Sequence, residues 1–170
     1  GVVLGLSAGR SLTACPLYNS NMQRILQQVQ DWLRSIGVKA YNVKRKSGEL
    51  KYVLLTRSSH DNAMMLRFVL RSTTIISKLQ QGLDSLLKSA PLIKVVSVNI
   101  QPVHMAILEG EEEIFLTRQT RLAERLNNLP LFIRPKSFFQ TNPEVAARLY
   151  KTAAEWVEQS QASQVMDLFC

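Results

Sequence analysis

Apolar residues recur every three or four positions from Met22 to Ile36: Met22, Ile25, Leu26, Val29, Trp32, Leu33 and Ile36. This period puts them on one face of a helix starting near Ser20, and Gly37 supplies its stop. A second helical run comprises Ile75, Ile76, Leu79, Leu83, Leu86 and Leu87. Thr73 or Thr74 can cap its start, and Pro91 ends it. A third run, Val145, Leu149, Ala153, Trp156 and Val157, follows Asn142-Pro143. Asn accepts hydrogen bonds from the first free N–H groups of a helix, and Pro fits the first helical position, where its missing N–H had no partner. Glu144 adds negative charge at that positive helix end.

Between the helices the period shortens. Lys39–Arg45 and Leu50–Arg57 read as two strands of a hairpin around Lys46-Ser47-Gly48-Glu49, and Asn62–Arg71 as a third strand. Ile93–Ile100 is β-branched and predicts a strand. Met105–Leu108 and Ile114–Thr117 read as a further hairpin, whose tip Glu109-Gly110-Glu111-Glu112-Glu113 has the composition of a solvated turn. Leu122–Leu126 and Leu131–Arg134 are short strands. Gly1–Arg10 and the stretch from Gln164 to Cys170 complete the strand set. The order predicts an α+β fold: a central antiparallel sheet with two covering helices over residues 1–134. From residue 135 to 170 the pattern changes to the start of a Rossmann-like α/β unit, with a boundary near Pro135.

Composition narrows the function. The chain has 170 residues, enough for one domain or one plus part of another. No apolar run approaches the ~20 residues of a membrane span, and residues 1–10 lack the basic start of a signal peptide. The net charge of +8 favours a polyanionic partner. Two cysteines far apart make no disulfide framework, so a reducing, cytoplasmic setting is expected. His60 and His104 have no companions at metal-ligand spacing.

The densest chemistry lies in Arg134-Pro135-Lys136-Ser137-Phe138-Phe139-Gln140-Thr141-Asn142-Pro143. Gln140 sits in extended chain before a helix N-terminus, and its amide both donates and accepts. Phe138 and Phe139 offer flat apolar surface to a base or pack into a core. Arg134 and Lys136 flank them. A second basic group, Lys44, Arg45 and Lys46, with Lys39, Lys51, Tyr41 and Tyr52 close by in sequence, suits phosphates and unpaired bases, or simply the charged edge of a sheet.

The order Ser137-Phe138-Phe139-Gln140-Thr141-Asn142-Pro143, an amphipathic helix, then Asp167-Leu168-Phe169-Cys170 resembles the RNA 5-methyluridine methyltransferases, most of all their 23S rRNA enzymes. Cys15-Pro16-Leu17-Tyr18 and Val98-Asn99-Ile100-Gln101-Pro102 extend the resemblance over nearly the whole chain. The resemblance implies an enzyme that uses S-adenosylmethionine to methylate C5 of uridine. It implies that Gln140 and Phe169 meet this cofactor and that Asp167 orients the glycine-rich loop following the strand in the family. It matches Cys15 to the fourth ligand of a [4Fe–4S] cluster, whose other three thiolates lie upstream in the family. Both the nucleophilic cysteine and the glutamate base belong to a later part of the family's chain, so Cys170 is a packed thiol and no catalytic residue is expected within these 170 residues. The chain starts without Met and stops before the glycine-rich loop, which on this resemblance makes it an internal fragment, inactive alone, with 23S rRNA as its partner; its sequence does not set an oligomeric state, and a monomer is the default expectation. The alternative is a stand-alone RNA-binding α+β module without chemistry.

Overall fold

A computed structural model describes residues 2–5, 11–104 and 107–168. The described chain runs α1 (Ser20–Ser35), β1 (Leu50–Arg57), β2 (Met64–Leu70), α2 (Ile76–Ser89), β3 (Ile93–Ile100), β4 (Glu112–Phe115), β5 (Leu122–Leu126), β6 (Leu129–Ile133) and α3 (Pro143–Ser160). Strands β1 to β4 form one sheet in sequence order, and β5 and β6 form a separate ribbon.

Helix α1 starts as its sequence dictates: Asn19 Oδ1 accepts from Met22 N at 2.9 Å. Helix α2 departs from expectation. It begins after Ile75 without a side-chain cap. Thr74 does not cap it because its hydroxyl is paired with Ser72 at 2.7 Å.

The sheet is mixed where an antiparallel one was expected. β1–β2 and β3–β4 are antiparallel, but β2 and β3 run parallel. The reason is the intervening α2, which carries the chain back across the sheet so that β3 starts from the same end as β2. Lys39–Arg45 is not a strand. Tyr41 N donates to Leu50 O at 2.7 Å and Asn42 N to Ser47 O at 2.7 Å, so the chain folds back on itself as a turn. Lys46 and Gly48 both hold positive φ there, and a Cβ at Gly48 would lie 2.3 Å from the Ala40 carbonyl oxygen, which only glycine tolerates.

Residues 107–108 form no strand, and β4 pairs with β3 instead; Met105 and Ala106 lie outside the described residues. Near the start of the chain, Val2 and Leu4 are buried, and Gly5 makes a single bridge to Ser11. The expected strand from Gln164 is absent over the described residues up to Leu168; its end, Phe169 and Cys170, lies outside them.

Side-chain alternation gives the sheet two unlike faces. On β2 and β3, Met64, Leu66, Phe68, Leu70, Val96 and Val98 point to the helices. They pack with Ile25, Val29, Trp32 and Leu33 of α1 and Leu79, Leu83 and Leu86 of α2. Trp32 lies 5.9 Å from Phe68 between ring centres and donates Nε1–H to Gly82 O at 2.9 Å. The opposite face carries a smaller apolar group, Ala63, Met65 and Val95, which packs with Leu122, Ile133 and Phe139. Beside this group sit the polar side chains Arg67, Ser97, Asn99 and Gln101, all buried.

The β5–β6 ribbon closes through Asn127 and Asn128, both at positive φ, which suits a two-residue hairpin turn. Helix α3 starts as predicted, with Asn142 Oδ1 accepting from Val145 N at 3.1 Å and Pro143 in the first turn. Its apolar stripe is not core among the described residues: Ala146 is buried, whereas Val145, Leu149, Trp156 and Val157 are exposed.

Candidate functional site

The segment from Arg134 to Asn142 is laid across the polar face of the sheet, and a buried arginine holds its start. Arg67, in the middle of β2, has a side chain only 4% exposed. Its Nε donates to both oxygens of Glu113, at 2.8 and 3.0 Å, and Nη2 donates to Glu113 Oε2 at 2.5 Å. Nη1 donates to the Glu109 carboxylate and, at 3.2 Å, to the carbonyl of Pro135. One guanidinium thus ties β2 to β4, to the loop before β4 and to the candidate segment.

The carboxylates are fixed in turn. Ser97 Oγ donates to Glu113 Oε1 at 2.7 Å, and Asn99 Nδ2 to Glu113 Oε2 at 2.9 Å. Asn99 also clamps the loop: its amide donates to the carbonyls of Gly110 and Glu112 at 3.0 Å each, and its oxygen accepts from Gly110 N at 2.7 Å. Gly110 is needed for this approach, because a Cβ there would lie 2.0 Å from the carbonyl oxygen of Ile100. Lys136 Nζ reaches the same loop, donating to the carbonyls of Gly110 at 3.0 Å and Glu111 at 2.8 Å.

Electrostatics follow from this packing. Burial alone would raise the Glu113 pKa, but the hydrogen bonds from Arg67, Ser97 and Asn99 outweigh it and hold the carboxyl below its ordinary value. Burial likewise opposes the charge on Arg67, and the bonds to Glu113 and Glu109 more than offset it, leaving the group firmly cationic. Glu109 and Glu113, at the two ends of an acidic run expected as a solvated tip, are therefore the counter-charges of a buried arginine. The sequence signal was a single Arg inside the apolar run Met64-Met65-Leu66-Arg67-Phe68-Val69-Leu70. An unpaired cation cannot be buried there, so that arginine demanded carboxylates from elsewhere in the chain.

Beyond Lys136, Ser137 closes a short turn: its N–H donates to Arg134 O at 3.0 Å, and its hydroxyl accepts from Arg134 N at 3.2 Å. The two phenylalanines then separate in role. Phe139 packs on the small apolar group of the sheet, and Phe138 is 86% exposed. Gln140 is exposed just before the N-terminal cap of α3. The arrangement presents an aromatic ring and an amide on an anchored backbone. The ribbon beside it is anchored too: buried Glu124 accepts from Ser59 N and Ser59 Oγ, both at 2.8 Å.

Other expected site residues lie apart from this segment. Lys44, Arg45 and Lys46 are exposed on the turn before β1, and no hydrogen bond or ion pair links them to Arg134 or Lys136 among the described residues. Tyr41 is held by its hydroxyl to His104 Nδ1 at 2.8 Å and lies under Lys51, whose Nζ is 5.0 Å from the ring centre. Burial, with Arg71 nearby, lowers the Lys51 pKa. Cys15 is a free, half-buried thiol in the loop before α1. No group of three or more His, Cys, Asp or Glu suited to a metal occurs among the described residues. With only two cysteines, this chain cannot complete a four-thiolate cluster set, so a cluster role for Cys15 needs thiolates from elsewhere.

No family model matches the chain. It is 54% identical over all 170 residues to a 23S rRNA (uracil(747)-C(5))-methyltransferase of Shewanella pealeana, of which it spans 45%. It is 57% identical over 159 residues, 94% of this chain and 41% of the relative, to the enzyme of the same name from Shewanella amazonensis. The chain thus spans less than half the length of these curated relatives. Its fold resembles that of the Pyrococcus abyssi tRNA (uracil-54, C5)-methyltransferase solved with S-adenosyl-L-homocysteine, with a TM-score of 0.71 over 86% of this chain and 34% of that one. Identity to that structure is 20%, so the likeness bears on fold alone. In sequence, the whole chain matches a segment of under half the length of curated 23S rRNA uracil-C5-methyltransferases.

Proposed function

We propose that this chain forms the substrate-side domain and the first part of the catalytic domain of an S-adenosylmethionine-dependent 23S rRNA uridine C5-methyltransferase. The observation that carries the reading is 54% identity across the entire chain to enzymes of that name. Residues 1–134 form the substrate-side unit, and residues from 135 onward begin the cofactor-binding one. S-adenosylmethionine supplies the methyl group; this chain supplies placement. The Gln140 amide, exposed on an anchored backbone, holds the cofactor or the uracil. Phe169 is the other cofactor contact in this reading and lies outside the described residues. Arg134 and the turn Lys44-Arg45-Lys46 meet rRNA phosphates. Lys136, bonded to two carbonyls of the acidic loop, keeps its charge near the same path while fixing the backbone. The reaction needs a thiolate at uracil C6 and a base for the C5 proton, and both come from outside these residues. Cys15 is the cluster ligand when the other thiolates are present. The full enzyme works on rRNA in the cytoplasm, and no helix of the described residues is long and apolar enough to cross a membrane.

Two measurements test this reading. The 170-residue chain, incubated with labelled S-adenosylmethionine and unmodified 23S rRNA, should transfer no label; robust transfer to uridine C5 would place the nucleophile inside it. In a protein of the relatives' full length, Gln140→Leu keeps volume and removes donor and acceptor. Unpaired partners cost roughly 1–3 kcal/mol. The expected loss in kcat/KM is thus about tenfold to a hundredfold. Thermal stability should stay within about 0.5 kcal/mol, as for exposed side chains generally. Unchanged turnover removes Gln140 from the site, and a large fall in Tm makes it a structural residue.

A further inference from the structure

We infer that the outward face of the β5–β6 ribbon is a stacking platform for single-stranded RNA, built on Phe132 and three arginines. The inference rests on the RNA reading above and adds a surface to it.

Alternation and register define the face. Leu122 pairs with Ile133 and Glu124 with Leu131; Leu122, Ile133 and Glu124 are buried. The alternate pairs, Ala123 with Phe132 and Arg125 with Pro130, therefore point outward, and Arg121 and Arg134 are the chain neighbours of the end pair, Leu122 with Ile133. Phe132 is 54% exposed, and its cross-strand neighbour is an alanine too small to cover the ring. The Arg121 guanidinium lies 3.8 Å from the centre of that ring. A planar cation stacked on an aromatic ring leaves a second plane open, and unpaired bases stack on both kinds of surface.

Charge selects the occupant. Arg121, Arg125 and Arg134 are exposed, and none has an ion pair among the described residues. This differs from Arg67 and Arg71, which both sit on glutamates. Three unneutralised cations around an exposed ring on a rigid two-stranded ribbon fit a phosphate backbone with splayed bases. A duplex offers no free base faces, so the ligand is a single strand. The ribbon leads directly into Arg134 and the Phe138–Gln140 segment, so a strand bound here continues towards that segment.

The test uses the 170-residue chain and a fluorescent, unstructured RNA oligonucleotide, with anisotropy read at several salt concentrations. Phe132→Leu keeps apolar bulk and should weaken binding roughly tenfold, within the range of one stacked base, with the salt slope unchanged. Arg121→Gln with Arg125→Gln should flatten the slope by about 0.7 per lost phosphate contact. Wild-type affinity for both variants overturns the platform while leaving the RNA reading standing. No RNA binding by the unaltered chain at low salt overturns the RNA reading and the platform with it. An unfolding curve for each variant separates lost contact from lost fold. A variant that binds weakly but melts early counts against the platform unless Phe132→Tyr, which keeps the ring, restores affinity.

Discussion

Arg67→Met should lower the stability of this chain by about 3–5 kcal/mol, the usual cost of removing one member of a buried ion pair. Methionine fits the volume but leaves Glu113, 13% exposed, facing Ser97 and Asn99 with its charge uncompensated. At roughly 2–4 °C per kcal/mol for a chain of this size, Tm should fall by roughly 6–20 °C. Adding Glu113→Gln should recover part of the loss, because the remaining partners are then neutral and the two changes are not additive. The same pair sets a pH dependence. The Glu113 pKa is depressed by folding, so its contribution is fully present above the unfolded carboxylate range, near ~4.3. It is lost as pH falls through the lower folded value. Glu113→Gln should remove that part of the acid sensitivity. A fall in Tm of less than about 2 °C in Arg67→Met would mean that the network does not support the fold.

Phe68→Ala acts on the other face of the same strand and should cost about 3–5 kcal/mol. Phe68 is fully buried and lies against Trp32. Removing the ring takes apolar surface from the core and leaves a cavity between sheet and helices that β2 and α1 cannot close. The control is Phe138→Ala. Phe138 is 86% exposed and should change stability by no more than about 0.5 kcal/mol. Chemical denaturation of both variants beside wild type measures the contrast. Equal losses at the two positions would mean that the Arg134–Gln140 segment is buried in solution.

The contrast marks what the sequence carried. Helical periods and caps placed α1 and the start of α3 within a residue or two, because apolar spacing and capping residues leave local signatures. The cap assigned to α2 failed because Ser72, two residues before Thr74, competes for its hydroxyl. Direction in the sheet was not legible, since a strand shows its faces in sequence but not the end from which its neighbour starts. Lys39–Arg45 passed for a strand because Tyr41 and Val43 alternate with polar residues; the turn expected at residues 46–49 in fact begins at Asn42, which pairs with Ser47. Motif order singled out Gln140, and of the two readings of Phe139 the structure takes packing. The acidic loop was missed because five residues, four of them glutamates, look solvated, and nothing in their order ties them to an arginine more than forty positions earlier.

The anchoring of Pro135 has a consequence for dissecting the protein. Arg67 takes its partners from residues 42, 46 and 68 positions further along the chain. A piece ending at Ile100 would keep α1, α2, β1, β2 and β3, and so nearly all of the large apolar cluster. It would also carry a guanidinium in the middle of its sheet with no carboxylate to meet it. A self-sufficient unit therefore extends at least through Phe115, the end of β4. A cut at the proposed boundary near Pro135 would sever the last hydrogen bond of the same arginine, so a boundary drawn for expression belongs downstream of Lys136.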